Sequence, residues 1–167
     1  DTFAPSNRCA DSYEQQALRA AASFRGEQFQ HELAYNRSET ERQLFTAGLP
    51  GFGTEGDLTR VTYLGSYAPG ENLQLVYGVD HETQSLNDGT FDTERDQTGY
   101  YLEYQGSVSD QLFFTAGARY DDNEDFGSHD SYRVSAAYLL PALNAGEVKL
   151  KAAWSTGFRA PSLYEVA

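Results

Sequence analysis

The fold is decided by the stretch Leu112-Phe113-Phe114-Thr115-Ala116-Gly117-Ala118-Arg119-Tyr120-Asp121, in which apolar side chains recur at every second position. Successive side chains of a β-strand point to opposite faces. One face of this predicted strand carries Leu112, Phe114, Ala116, Ala118 and Tyr120. The other carries Thr115, Gly117, Arg119 and Asp121, with Phe113 as the apolar exception. The stretch therefore predicts a strand with one apolar and one polar face.

The same alternation extends outward on both sides of this stretch. It is found in residues 28–35, 72–80, 100–105, 132–138 and 148–155. Segments of about ten residues match the length that a tilted strand needs to cross the hydrocarbon of a bilayer. An antiparallel sheet in water shows the same alternation, so this pattern alone leaves both structures open.

The connections between the predicted segments alternate between short and long. The short ones lie at 25–27, 68–71, 108–111 and 141–146, and the long ones at 37–57, 86–96 and 122–130. Outer-membrane barrels have tight turns on one side of the bilayer and long loops on the other, whereas a soluble sandwich has no reason to sort its loops by length. We therefore predict an all-β fold of about eight antiparallel transmembrane β-barrel strands.

Aromatic residues support the membrane interpretation. Tyrosine and tryptophan concentrate toward the ends of the apolar faces, at Tyr67, Tyr77, Tyr100, Tyr104, Tyr120, Tyr132, Tyr138 and Trp154. Side chains of this kind favour the headgroup level of a bilayer and form the aromatic girdles of outer-membrane barrels. We expect outer-membrane lipid to contact this face.

Composition excludes other classes of protein. The chain of 167 residues carries 25 acidic and 12 basic side chains, and the resulting net charge of −13 argues against nucleic-acid binding. No apolar run is long enough for a transmembrane helix, and no signal peptide is recognisable. Cys9 is the single cysteine, so it has no internal disulfide partner.

The segment Ser12 to Phe24 is open to two interpretations. Its apolar residues also follow helical spacing, and its alanines favour a helix. We prefer a strand from Ala17 to Phe24, because the turn at 25–27 leads into a partner with clear alternation. Both termini then lie on the long-loop side, whereas a complete bacterial barrel leaves its termini on the periplasmic side. We therefore expect the chain to be part of a larger barrel.

Three strings near the end of the chain resemble those of a known family. Trp154-Ser155-Thr156-Gly157-Phe158-Arg159-Ala160-Pro161-Ser162-Leu163-Tyr164-Glu165 resembles the barrel signature of TonB-dependent outer-membrane receptors. Arg95-Asp96-Gln97-Thr98-Gly99-Tyr100-Tyr101 resembles the family's strand-opening motif. The stretch 116–122, followed by 125–129, resembles the next strand and loop. The resemblance covers roughly residues 96–167 and is nearest to the cobalamin-receptor-like branch, which includes receptors for ferric siderophores and haem.

The resemblance implies a function for the intact protein. Such a receptor is a 22-stranded barrel around an N-terminal plug domain, and it imports a scarce, bulky solute such as a ferric siderophore, haem or cobalamin. The resemblance places it in the outer membrane of a Gram-negative bacterium, with TonB contacting the plug. Residues 1–167 would then form a partial barrel domain without the plug. The alternative is a self-contained eight-stranded barrel that acts as a structural anchor or a binding module.

Charged residues on the polar faces are the candidates for ligand contact. Asp80, Glu103, Arg119 and Arg133, together with Asp121, would line the path of a solute; the alternative is a cross-strand charge ladder that satisfies itself. The motif residues Gly157, Phe158, Arg159, Ala160, Pro161, Ser162 and Leu163 are expected to fix a strand-to-loop geometry, with Gly157 free to adopt unusual backbone angles.

A candidate metal site and a candidate catalytic pair complete the sequence-based expectations. Asp121, Asp122, Glu124 and Asp125 form a dense set of carboxylates that suits Ca²⁺, with a solvated acidic loop as the alternative. No other cofactor is expected. His129 stands near several acids, so an acid–histidine pair activating water is conceivable. Proximity in an acid-rich loop is weak evidence for catalysis, and we predict that the chain is not an enzyme.

Overall fold

The computed structural model of the protein describes residues 9–143 and 146–163. Its strands are β1 (Cys9–Arg25), β2 (Phe29–Thr46), β3 (Leu49–Gly70), β4 (Leu73–Asn87), β5 (Asp92–Val108), β6 (Leu112–Asn123), β7 (Gly127–Leu143) and β8 (Gly146–Ser155). Each strand pairs antiparallel with the next. The predicted all-β antiparallel fold is confirmed. Part of the fourth short turn, and Tyr164 and Glu165 of the motif, lie outside the described residues.

The sheet is a simple meander that stays open along its two edges. Its order is β1 to β8, and in the described part of the chain β1 and β8 are not neighbours. The backbone groups on the outer edges of these two strands are therefore left for other partners. The same described residues contain no helix that is both long and apolar enough to cross a membrane.

The two faces of the sheet differ in polarity along whole rows of cross-strand partners. One row joins Tyr63, Val79, Tyr100 and Tyr120. The adjacent row, on the opposite side, joins Thr62, Asp80, Gly99 and Asp121. We call the side of Tyr100 the apolar face and the side of Asp80 the polar face. The alternation in the sequence therefore becomes a division of the entire sheet, because antiparallel partners share a face.

The apolar face is the exposed one. Leu102 is 52% exposed and Trp154 60%, whereas Ala34 and Leu163 are the only buried apolar residues among those described. A sheet in water covers its apolar face with a second layer of strands or helices. A transmembrane barrel instead presents that face to lipid, with polar residues on the inner side. The exposure pattern favours the membrane interpretation over the soluble one.

The three long loops expected from the sequence are mostly strand in the structure, so that prediction was wrong. β2 and β3 continue to a turn at Ala47 and Gly48, and the connections between the other described strand ends span two to four residues. The hydrogen-bonded pairing of β2 with β3 continues past the apolar segments because cross-strand ion pairs stabilise it. Arg37 Nε, for example, lies 3.0 Å from Asp57 Oδ2. The predicted difference between the two ends of the sheet survives as long strand extensions rather than as loops.

The first strand settles the ambiguity between helix and strand. β1 pairs with β2 along its whole length, from Cys9 with Thr46 to Arg25 with Gln30. The helical alternative was wrong, and the strand begins eight residues before the expected Ala17. Pairing with a neighbouring strand outweighs the helical preference of alanine, because intrinsic propensity is only a weak prior.

Candidate functional site

The candidate site is the polar face of β4 to β7. Asp80 of β4, Glu103 of β5, Arg119 and Asp121 of β6, and Arg133 of β7 all lie there, as the register shows. Sequence reasoning selected these residues from alternation alone. The register adds which of them meet, and it separates them into two groups.

The first group is centred on Arg119, whose guanidinium lies between two carboxylates. Nη1 donates to Asp80 Oδ1 at 2.8 Å and Nη2 to Asp80 Oδ2 at 2.9 Å, which is a bidentate pair across two strands. Nε donates to both carboxylate oxygens of Asp121 at 2.9 Å. Charge-assisted bidentate bonds of this kind are among the strongest in proteins and fix orientation as well as distance. Arg119 is thus held in one position on the polar face.

Two glycines make room for this arrangement. The Tyr101 ring lies over Gly78, and the Arg119 guanidinium lies over Gly99, where a Cβ atom would overlap it. The Arg119 Cζ is 5.8 Å from the centre of the Tyr101 ring, within the range of a cation–π contact. Gly78 is thus required by the close approach of the Tyr101 ring and of the Tyr63 carbonyl oxygen, whereas at Gly99 the nearest atoms belong to the flexible end of Arg119. Neither glycine has a positive φ.

The hydrogen bonds continue from Asp121 to the turn between β6 and β7. Gln97 Nε2 donates to Asp121 Oδ1 at 3.3 Å, and Asn123 Nδ2 donates to Gln97 Oε1 at 2.9 Å. The Asn123 Oδ1 accepts from the backbone N–H groups of Asp125 and Phe126. Asn123 is buried and caps the turn, a role that sequence reasoning missed although asparagine before a tight turn is a known signal.

The second group of predicted residues is the pair Glu103 and Arg133. Arg133 Nη2 lies 3.0 Å from Glu103 Oε2, and the Arg133 side chain is 60% exposed. Gln105 Nε2 also donates to Glu103 Oε1 at 2.6 Å. The Arg119 side chain is 33% exposed, about half the exposure of Arg133. Arg133 is the more available of the two arginines for a solute.

A further polar network on the same face was not found from the sequence. Arg60 of β3 forms an ion pair with the buried Glu82 of β4, and Gln84 Nε2 donates to Glu82 Oε1. Gln84 Oε1 in turn accepts from Arg95 Nη2 at 2.9 Å. Only the register could have revealed this network, because no local motif in the sequence links residues 60, 82 and 95.

The family motif after β8 folds back onto the polar face. Arg95 Nη1 donates to the Pro161 carbonyl at 2.8 Å, and Arg95 itself is only 4% exposed. The Phe158 ring stacks on the His129 ring with centroids 3.5 Å apart and planes at 7°. Gly157 is not one of the glycines with positive φ, and an added Cβ would meet nothing within 4 Å. The motif thus makes its contacts through Phe158, Pro161 and the buried Leu163.

Comparison with known proteins identifies the family. The family model described as TonB dependent receptor-like, beta-barrel matches residues 3–167. The chain belongs to this family. The model covers β1 to β8 and the motif after β8, so the predicted resemblance is confirmed. Members of the family lie in the outer membrane of Gram-negative bacteria, which places the chain there.

Two relatives show what the chain is similar to. It is 34% identical over 104 residues to the iron-regulated outer membrane virulence protein of Vibrio cholerae serotype O1, which is 58% of this chain and 15% of the relative. It is 26% identical over 107 residues to the vitamin B12 transporter BtuB of the same organism, which is 63% of this chain and 17% of the relative. The matched part of the chain spans less than a fifth of the length of these relatives.

The four candidate calcium ligands do not form one cluster. Asp121 is bonded to Arg119, Glu124 Oε2 accepts from the backbone N–H of Asp96, and Asp125 Oδ2 lies 3.8 Å from Arg95. Asp122 belongs to the row of Thr98 and Ser128, on the apolar side of the sheet. The described residues contain no group of three or more ligating side chains placed to hold a metal ion. The calcium site stays a prediction.

His129 lies on the polar face as the cross-strand partner of Asp121. The Asp121 carboxylate is engaged by Arg119, and the His129 ring is stacked on Phe158. Its buried Nδ1 has no hydrogen-bond partner within the described part of the chain. The structure therefore places His129 opposite Asp121, but in the described part of the chain no hydrogen bond or ion pair joins the His129 ring to an acid. The family is one of receptors and transporters.

Proposed function

We propose that this chain is part of the barrel wall of a TonB-dependent receptor that imports a scarce, bulky solute across the outer membrane. The observation that carries the proposal is the family match over residues 3–167. It agrees with an eight-stranded sheet whose apolar face is exposed and whose polar face is lined with fixed charges. In this proposal the apolar face contacts outer-membrane lipid and the polar face borders the passage.

Chemistry and the names of the relatives support one class of solute. The candidates are a ferric siderophore, haem or cobalamin, all too bulky for a small pore. One relative is named for iron regulation and another for vitamin B12 transport, which supports metal chelates as the cargo. Energy would come from TonB acting on the plug domain of the intact receptor. The proposal assigns transport, and no catalysis, to the polar face.

Within this proposal the charged residues of the polar face divide into two roles. Asp80 and Arg119 satisfy each other in a bidentate pair, so they act mainly to hold the wall together. Arg133 is exposed and pairs with one carboxylate, so it can exchange that partner for an anionic group of a solute. We therefore propose Arg133, with Glu103, as the point of solute contact.

Uptake assays test the proposal. The gene is deleted, and cells are supplied with radiolabelled ferric siderophore, haem or cobalamin in the presence and absence of TonB. We expect uptake of one of these solutes to be lost on deletion and restored by the wild-type gene only in cells that contain TonB. Uptake of all three at wild-type rates in the deletion strain would contradict the proposal.

The self-contained barrel remains the competing function, and it predicts a different mass. An anchor or binding barrel built from this chain alone has a mass near 18.5 kDa. A receptor recovered from outer membranes with an antibody to this segment would be several times heavier. The small mass would remove the transport proposal in favour of the anchor.

A further inference from the structure

The segment that follows β8 crosses the polar face. We call residues 156–163 the strap. Thr156 still pairs with Tyr132 of β7, through its backbone N–H at 2.9 Å and its Oγ1 at 2.8 Å. At the other end, Leu163 borders a cavity of about 330 Å³ together with Leu58 of β3 and Gln84 and Leu86 of β4. The strap therefore joins one side of the sheet to the other.

The length of the strap leaves little slack for this crossing. Eight residues span at most about 28 Å when extended. From β8 to β3 there are five strand spacings, or about 24 Å along the sheet. Curvature of the sheet shortens the direct path, but the strap must still run nearly straight over the polar face. It lies above the end of the face at which Glu82, Arg95 and Asn123 are buried.

Arg95 bonds the second half of the strap to the polar face, through the Pro161 carbonyl. A buried guanidinium is costly unless its donors are bonded, and Arg95 has two strong acceptors: the Pro161 carbonyl at 2.8 Å and Gln84 Oε1 at 2.9 Å. Removing the strap would take away one of these acceptors and expose the network from Arg95 through Gln84 to Glu82. The strap and the buried arginine therefore stabilise each other.

We propose that the strap is a latched cover over this end of the polar face, that Arg95 is the latch, and that release of the latch opens the buried network to the passage. The Phe158–His129 stack and the buried Leu163 serve as secondary anchors on either side of the latch. The strap adds a conformational control to the wall. The latch would act in the same way for any solute, and the test of the latch does not depend on uptake.

Trypsin cleavage after Arg159 reports strap release directly. Arg159 is exposed, and the next residue is Ala160, so the bond is cleavable once the strap leaves the wall. The substrate is the full-length protein in outer-membrane vesicles. We expect Arg95→Gln to speed cleavage at this bond by at least about tenfold, the factor that one hydrogen bond to a charged group supplies. The control Arg19→Gln removes a polar-face arginine that contacts Glu32 instead of the strap.

Two further variants make the result decisive. Leu163→Ser removes an apolar anchor without touching Arg95 and should also speed the cut. Arg159→Gln should abolish the fragment and so identify the bond. Cleavage after Arg42, in the extension of β2, serves as the internal reference. Faster cleavage confined to Arg159 supports the latch. Unchanged cleavage in both Arg95→Gln and Leu163→Ser, or an equal increase at Arg42 and Arg159, would overturn it.

Discussion

At the scale of single residues, some glycines of the polar face leave room for side chains of the next strand. A Cβ on Gly78 would overlap the Tyr101 ring and come within 2.5 Å of the Tyr63 carbonyl oxygen, which belongs to the backbone and cannot swing away. A Cβ on Gly117, on the same face, would meet nothing closer than 3.4 Å. Gly78 and Gly117 therefore differ in whether the structure has room for a Cβ atom.

Gly78→Ala should therefore destabilise the protein, whereas Gly117→Ala should not. Overpacking of this kind costs about 1–3 kcal/mol. We expect the free energy of unfolding, measured by denaturant titration of the full-length protein in lipid vesicles, to fall by that amount for Gly78→Ala. The matched variant Gly117→Ala should stay within about 0.5 kcal/mol of wild type. Equal effects of the two variants would contradict the close approach of Tyr101.

The two arginines of the polar face offer a second residue-scale comparison. Arg119→Met leaves Asp80 and Asp121, both less than a fifth exposed, without their shared cation. Loss of hydrogen bonds to charged groups predicts a decrease in unfolding free energy of about 1.5–3 kcal/mol. Arg133→Met removes a largely exposed pair and should cost at most about 1 kcal/mol. A larger loss for Arg133 than for Arg119 would refute the assignment of Arg119 as the structural member.

At the scale of elements, the long β2–β3 hairpin ends in an unfavourable residue. Ala47 has φ 55° and Gly48 φ 80°, so both central positions of the turn are left-handed. Turns of this kind favour Asn-Gly, because asparagine tolerates positive φ better than alanine. We expect Ala47→Asn to stabilise the extension and to slow hydrogen exchange of the amides in residues 37–57. Faster exchange in this variant, or rapid exchange in the wild type comparable to a disordered loop, would contradict the extended hairpin.

The outer end of β1 should respond to pH through one ion pair. Hydrogen bonds from the Arg42 guanidinium lower the pKa of Asp11 below its ordinary value of 3.8. Because the folded-state pKa is the lower one, the stabilisation is fully present above pH 3.8 and is lost as the pH falls through the depressed value. A spin label on the exposed Cys9 should therefore become more mobile only in strong acid.

The variant Asp11→Asn isolates that response. Its label on Cys9 should be as mobile at neutral pH as the wild-type label is in acid, since the charge on residue 11 is absent throughout. Identical pH curves for wild type and Asp11→Asn would show that the pair with Arg42 does not hold the end of β1.

Sequence alternation identified the elements better than their ends. The eight strands were recoverable because residues such as Leu112 to Tyr120 carry period-two polarity that needs no tertiary context. The extensions of β2 and β3 were mistaken for a loop because residues 37–57 are rich in charge and glycine, and their pairing depends on cross-strand contacts such as Arg37 with Asp57. Local patterns cannot report a contact between residues twenty positions apart.

At the scale of the whole molecule, the candidate site was only partly predictable. The sequence placed Asp80 and Arg119 on polar faces, but their bidentate contact depends on the register of β4, β5 and β6. Arg95 was noticed only as part of a motif, although it is the contact between β5 and the strap. The register is set jointly by all eight strands, so such long-range pairs lie beyond single-sequence reasoning.

The open edges of the sheet also belong to this scale. β1 and β8 each have one unpaired side within the described part of the chain, and an unsatisfied backbone group in lipid costs several kcal/mol. The apolar face offers no compensation in water, since it lies exposed. The sheet therefore needs both lipid on its apolar face and strand partners at its edges.

One face of this sheet meets lipid and the other meets water. The most direct measurement is the accessibility of spin labels placed one at a time on β6 of the full-length protein in outer-membrane vesicles, with Cys9→Ser as background. Labels at Ala116 and Ala118 should collide with oxygen dissolved in the bilayer, and labels at Thr115 and Gly117 with a water-soluble nickel chelate. The predicted result is therefore access to oxygen at Ala116 and Ala118 and access to the nickel chelate at Thr115 and Gly117, alternating along the strand. Uniform accessibility to the nickel chelate along β6, or oxygen accessibility at Thr115 and Gly117 instead, would show that the apolar face does not meet lipid.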